Sequence, residues 1–70
     1  MYKRIKELRE DKNLSQLQVA KVLFISRSGY SKYETGKRYI PVTNLIKLAQ
    51  FYDTSTDYIL GLTDYPDKYE

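Results

Sequence analysis

Apolar residues recur along this chain at helical spacing and almost nowhere alternate as a strand would. Ile5 and Leu8 lie one turn apart among charged residues, which predicts an amphipathic helix from Tyr2 to Asp11. Asn13-Leu14 ends it. Ser15 and Gln18 have the spacing of a capping box, in which the hydroxyl accepts from an orphan amide and the Gln side chain reaches back. In the second helix, which they open, Leu17, Ala20 and Leu23 recur on one face. Ser26 is the N-cap candidate of a third helix, Arg27 to about Thr35, and Gly36 stands where a helix commonly stops in a left-handed residue. A basic loop, GKRYI, leads to Pro41. The fourth helix, about Val42 to Tyr52, has the cleanest pattern, with Leu45, Leu48, Ala49 and Tyr52 at i, i+3, i+4 and i+7. Ser55 caps a short fifth helix, Thr56 to Leu60, and Gly61 ends it. The stretch LTDYPDKYE contains Pro66 and has no apolar periodicity, so it is expected to fray or lie along the surface. The pattern predicts an all-α fold, with one domain over 1–62 and a short tail over 63–70.

Only FIS, or slightly more, joins the second helix to the third. Two short helices so joined meet at a steep angle, the helix-turn-helix arrangement. At ~100° per residue, Arg27, Ser28, Ser31 and Lys32 spread over roughly 0–140° of the third helix, while Tyr30, Tyr33 and Glu34 fall at about 240–340°. One face is cationic and hydroxyl-bearing, the other aromatic. Arg bonds the O6/N7 edge of guanine bidentately, Lys reaches the same acceptors, and Ser donates or accepts at several bases. Gly29 falls on the border of the two faces, at a cost of about 0.5–1 kcal/mol relative to Ala.

Charge sharpens this picture. The formal net charge is +3 and the pI about 9.2. Residues 21–47 hold six basic residues (Lys21, Arg27, Lys32, Lys37, Arg38 and Lys47) and a single acid, Glu34. After Gly61 the balance reverses, with Asp64, Asp67 and Glu70 against Lys68. A basic middle suggests a polyanionic partner. The 70 residues make one small domain, near the lower size limit for folding without staples. With no Cys and no His, disulfides, the usual zinc sites and thiol chemistry are excluded. No metal site, cofactor or catalytic residue is expected. Glu7, Glu10, Asp11, Asp53 and Asp57 read as helix-surface or N-terminal charges, and no pair of them suggests a hydrolase. No apolar run approaches the ~18 residues of a membrane span.

The sequence resembles the Cro/phage-repressor type of helix-turn-helix regulator, the xenobiotic-response-element family, over about Arg4 to Asp64. The resemblance rests on RIKELREDKNLSQLQVAKVL, SRSGYSKYETGKR, IPVTNLIKLAQFY and STDYILG, in that order. It implies a compact five-helix, lambda-repressor-like DNA-binding domain. Gln16 matches a position that usually contacts phosphate and braces the recognition helix. Arg27, Ser28 and Lys32 match base-reading positions, and Thr35, Lys37 and Arg38 match the loop that grips the backbone. Arg9 and Glu34 match a pair that forms a structural salt bridge between the first and third helices in several members. One departure is plain: Phe24 stands where the turn usually has Gly. Either it is held at positive φ, at a cost on the order of 1–2 kcal/mol, or the turn changes shape and Phe24 covers the edge of the core.

The eight Tyr include four expected in the core with hydroxyls at its edge: Tyr30, Tyr33, Tyr52 and Tyr58. Tyr39 is read as stacking near the DNA backbone or as a dimer contact; Tyr2, Tyr65 and Tyr69 have no assigned role. The expected function is sequence-specific reading of double-stranded DNA by a transcriptional regulator, a repressor. Arg27, Ser28, Ser31 and Lys32 are expected to read bases. Gln16, Ser26, Thr35, Lys37, Arg38 and Tyr39 are expected on the backbone. The expected partner is a two-fold symmetric operator, bound by a weak homodimer that strengthens on DNA, since no separate dimerisation domain is read in the sequence. The implied setting is the cytoplasm, on the nucleoid when bound, with no membrane association. The competing reading is a protein-interaction module, such as an antitoxin or anti-repressor component, using the same helices without reading DNA.

Overall fold

Five helices form in the computed structural model, which describes residues 3–66. They are α1 (Lys3–Asp11), α2 (Gln16–Val22), α3 (Arg27–Thr35), α4 (Val42–Phe51) and α5 (Thr56–Leu60). No strand occurs among the described residues. Tyr2, expected to open α1, and residues 67–70, Tyr69 among them, lie outside the described residues.

The starts of α2, α3 and α5 follow from serine chemistry. Ser15, Ser26 and Ser55 each sit in extended backbone and accept from the amide three residues on, and Ser15 with Gln18 completes the capping box. The helix ends share one device. Asn13, Phe24, Gly36, Asp53 and Gly61 all adopt left-handed backbone. After each, the next amide reaches back to a carbonyl five residues earlier; Leu14 to Arg9, Ile25 to Ala20 and Thr54 to Ala49 are examples at 3.1, 3.0 and 2.8 Å. These are Schellman closures, which satisfy the orphan carbonyls of the last turn.

The core draws on every helix: Ile5 from α1, Val19 and Ala20 from α2, Tyr30 and Tyr33 from α3, Leu45, Leu48 and Ala49 from α4, and Ile59 from α5. Leu23, Ile40 and Tyr52 complete it from the helix junctions. α3 packs on α2 and α1, and α5 on α1 and α4. The stripe of α2 differs from the expected one. Leu17 is 47% exposed, and the buried positions are Val19, Ala20 and Leu23. A three-residue recurrence left the centre of the buried face undetermined.

One open alternative is resolved and one expectation is corrected. Phe24 does not cover the core: it keeps φ 57° and is 88% exposed. The turn retains its glycine-like shape because both Schellman bonds need it, Phe24 N to Lys21 O and Ile25 N to Ala20 O. It is Ile25 that packs inward. The hydroxyls of Tyr30 and Tyr52 are not at the edge of the core; both are fully buried without a hydrogen bond of good geometry. Only Tyr33 fits the expectation well, its hydroxyl accepting from Asn44 Nδ2 at 3.2 Å. Tyr58 is half-buried beneath the Arg4 guanidinium, 4.2 Å from its ring centroid.

Arg4 also ties down the segment after α5. It donates to the carbonyls of Tyr58 and Thr63 and to Asp64 Oδ1. The buried Thr54 hydroxyl bonds the Pro66 carbonyl. Residues 63–66 therefore lie along the surface, held by side chains that no local pattern marks.

Candidate nucleic-acid interface

α3 is an aromatic wedge on one side and a polar face on the other. Tyr30 and Tyr33 are buried, their rings edge-to-face at 6.3 Å. Arg27, Ser28, Lys32 and Thr35 are exposed and Ser31 is half-buried. The amphipathic division follows from the helical repeat: the apolar rings must leave water, and the face opposite them stays wet.

Gly29 lies at the border, half-buried. Its amide donates to the Ser26 N-cap hydroxyl at 3.0 Å. A β-carbon there would meet that same hydroxyl at 3.2 Å, and no atom of α2 stands nearer. The glycine therefore serves no close approach between helices.

The position of α3 is set by a buried ion pair. Arg9 Nε donates to Glu34 Oε2 at 2.7 Å and Nη2 to Oε1 at 3.2 Å, while Nη1 donates to the Leu14 carbonyl at 2.8 Å. The Glu34 side chain is 4% exposed and that of Arg9 13%. One guanidinium thus joins α1, the loop before α2, and α3. Burial pushes the Glu34 carboxyl up, but the bond from Arg9, the facing Tyr30 hydroxyl, the bond from Gln16 and the Arg9 charge outweigh it, and the group stays ionised below its usual range. Arg9 is held still more firmly protonated, chiefly by its bond to Glu34. The Tyr30 phenol is pushed up by burial and by facing this carboxylate; that of Tyr52 rises to about 12, by burial.

Burial of Glu34 has an electrostatic consequence. All six basic residues of 21–47 are exposed, and the one acid among them faces inward. The surface contributed by this stretch is uniformly positive. Lys37, Arg38 and Tyr39 stand exposed on the loop after α3, which Ile40 anchors in the core. The Lys37 and Arg38 amides both bond the Lys32 carbonyl, at 2.9 and 3.3 Å, so the loop starts from a closed turn. Ser26 is exposed at the N-terminus of α3, and Thr35 Oγ1 bonds the Lys32 carbonyl at 3.3 Å.

Gln16 lies half-buried between these groups. Its Nε2 donates to Glu34 Oε1 at 3.1 Å, and its Oε1 accepts from Arg27 Nη1 at 3.3 Å. The brace from α2 to α3 is therefore a pair of side-chain bonds, one of them to a residue of the exposed face. The Tyr33–Asn44 bond, which ties α4 to α3, has no counterpart in the sequence reading, because two residues eleven apart across a loop leave no periodic signal. Among the described residues no cluster of His, Cys, Asp or Glu could hold a metal ion. No helix there is long and apolar enough to cross a membrane.

The helix-turn-helix family HTH_3 matches residues 5–59. An uncharacterized HTH-type transcriptional regulator of Bacillus subtilis, YobD, is 44% identical over 64 residues, covering 91% of this chain and 57% of its own. The HTH-type transcriptional regulator ImmR of the same organism is 37% identical over 68 residues, 97% of this chain and 54% of its own. The HTH-type transcriptional activator BcrR of Enterococcus faecalis is 36% identical over 58 residues, 83% of this chain and 28% of its own. The chain thus spans little more than half the length of the first two and less of the third. No solved structure matches.

Proposed function

This chain belongs to the helix-turn-helix family of DNA-binding transcriptional regulators, and from that premise we propose that it reads a specific operator through α3 in the major groove and acts as a repressor by occupying it. The carrying observation is the exposed face of α3 within a surface whose cations all point outward and whose one acid is buried. Arg27, Ser28, Ser31 and Lys32 contact base edges. Ser26, Thr35, Lys37, Arg38 and Tyr39 contact the backbone, and Gln16 has one amide hydrogen left for a phosphate. Phosphate contacts fix register and base contacts carry sequence. Two copies bind a two-fold site.

The two classes of contact separate experimentally. Lys32→Ala is expected to relax preference at one base pair, by ~1–3 kcal/mol. Lys37→Ala is expected to weaken binding to every duplex alike and to reduce the salt slope by about one ion. Titrations of the two variants against a selected duplex and its single-base changes, over a salt series, measure both. Salt-insensitive or absent DNA binding by the unaltered chain would favour a protein-interaction module instead. Equal, uniform losses in both variants would remove α3 as the reading helix.

A further inference from the structure

We infer that the outer face of α2 and the turn after it form a docking stripe for a second copy of this chain, and that the segment docked there is the acidic strap 62–66. The contact uses none of the residues assigned to DNA.

Leu17 and Lys21 lie one turn apart on the exposed face of α2, and the Phe24 amide closes back onto the Lys21 carbonyl at 3.2 Å, which brings Phe24 next to Lys21 along the surface. Lys47 of α4 stands over the Phe24 ring. The order is apolar, cation, apolar, cation. Folding explains neither apolar member. Leu17 fits the apolar spacing of its helix yet stays in water, and Phe24 holds a left-handed backbone that glycine adopts freely while its ring is exposed. Exposed apolar side chains that fall together, unlike scattered ones, mark contact surfaces. Charge then restricts the occupant. The one acid of residues 21–47 is buried, so two such stripes repel and a symmetric meeting is opposed. The docked segment must be acidic.

The chain carries such a segment. Arg4 holds the Thr63 carbonyl and Asp64 Oδ1, Thr54 holds the Pro66 carbonyl, and the Tyr65 amide bonds Thr63 Oγ1 at 3.2 Å. The strap thereby shows Leu62 and Tyr65 to solvent, and the Asp64 side chain stays 97% exposed although Arg4 bonds it. The order here is apolar, acid, apolar, the complement of Leu17, Lys21 and Phe24. The strap is already ordered, which lowers the entropy cost of docking. All four apolar side chains are exposed, so stripe and strap of one chain do not cover each other. The clasps from Arg4 and Thr54 hold the strap in place, and the meeting is between copies.

Stripe and strap are different surfaces, so the contact is heterologous and each docked pair leaves one of each free. A few side chains from each copy, against the ~20–30 residues a side of a standard interface, make it weak in dilute solution. Neighbouring operators would raise the effective concentration to about the millimolar range, where the contact joins adjacent copies.

The test is NMR of the isotope-labelled chain without DNA, from micromolar to millimolar concentration, so its outcome is separate from the assignment of α3. Amide signals of Leu17, Lys21 and Phe24 and those of Leu62 to Tyr65 are expected to shift together with concentration, and less at high salt. Phe24→Gly removes the stripe's ring and Tyr65→Ser the strap's; thermal melting confirms that both variants are folded. Each is expected to weaken self-association about 10-fold, as loss of one aromatic anchor does at an interface, and Phe24→Gly is expected to remove the shifts of its own intact strap. Adding unlabelled Tyr65→Ser chain, whose stripe is intact, to labelled Phe24→Gly chain is expected to restore those strap shifts. Signals that stay fixed into the millimolar range would overturn the inference. So would shifts of the stripe alone or the strap alone, which mark a symmetric contact, and so would a mixture that restores nothing.

Discussion

Phe24 is the residue whose backbone costs most and whose side chain returns least. Asn13 and Asp53 also take left-handed backbone to close their helices, but short polar side chains tolerate it, and Gly36 and Gly61 do so freely. Phe24 holds φ 57° with an 88% exposed ring, and Lys47 Nζ stands over it, 5.6 Å from its centroid. Phe24→Gly is expected to raise stability by about 1 kcal/mol, the steric relief exceeding the added freedom of the unfolded chain. Urea denaturation measures it; an unchanged or lowered midpoint would mean that the ring contributes to folding. Tyr52 presents the other residue-scale cost, a buried hydroxyl with no bonding partner. Tyr52→Phe is expected to gain about 1 kcal/mol at neutral pH. The sign in alkali follows from its raised value. The unfolded phenol ionises near 10 and the folded one near 12, so the stability tied to Tyr52 is intact below the first and is lost as pH rises through the second. The Phe variant should lose less stability across that window. The sequence showed that both residues were unusual or apolar but not how they would resolve. Whether the turn or the Phe ring would yield, and whether a Tyr hydroxyl would reach the surface, depends on contacts from other helices.

At the scale of elements, starts and stops were legible because their chemistry is local. Ser15, Ser26 and Ser55 cap within three residues, and Gly36 and Gly61 close within five. The buried face of α2 was less so: seven residues carry two turns, and Leu17 fitted the spacing as well as Val19 did. The polar face of α3 was legible from its angles, while the bonds that orient it join residues 18 and 25 positions apart and were expected only through the family resemblance. The Arg9–Glu34 pair is where these elements meet, and its contribution depends on pH. Glu34 is held below its ordinary value, so its stabilisation is complete above the usual carboxylate range and is lost as pH falls through the lower folded value. Glu34→Gln is expected to cost about 2 kcal/mol at neutral pH, since Arg9 keeps the Leu14 carbonyl and an amide oxygen but loses its countercharge. The variant should also show a flatter acid limb in a stability–pH series. Parallel acid limbs would mean that the pair lends nothing that protonation can remove.

For the whole molecule, size and charge together bear on how DNA is engaged. α3 has nine residues, about 13 Å of helix, and so spans only a few base pairs. Such a reach carries little information, and a second copy doubles it if the two can sit on one face of the duplex. The domain measures 32 × 22 × 19 Å. Half-sites one helical turn apart have centres ~34 Å apart, so two copies laid along the groove fit side by side with their edges close. Electrostatics opposes their meeting in free solution: each carries a net +3 and an exposed basic stretch. On DNA the phosphates neutralise that repulsion. The expected outcome is a chain that is largely monomeric at micromolar concentration in sedimentation and that binds a full site cooperatively. A duplex carrying both half-sites should be bound more tightly than the square of half-site affinity allows. Moving one half-site by five base pairs, to the opposite face of the helix, should abolish that excess while each half-site remains occupied at higher concentration. Selection from a random pool that returned one half-site, bound as tightly as any longer duplex, would remove the second copy from the account and leave α3 reading alone.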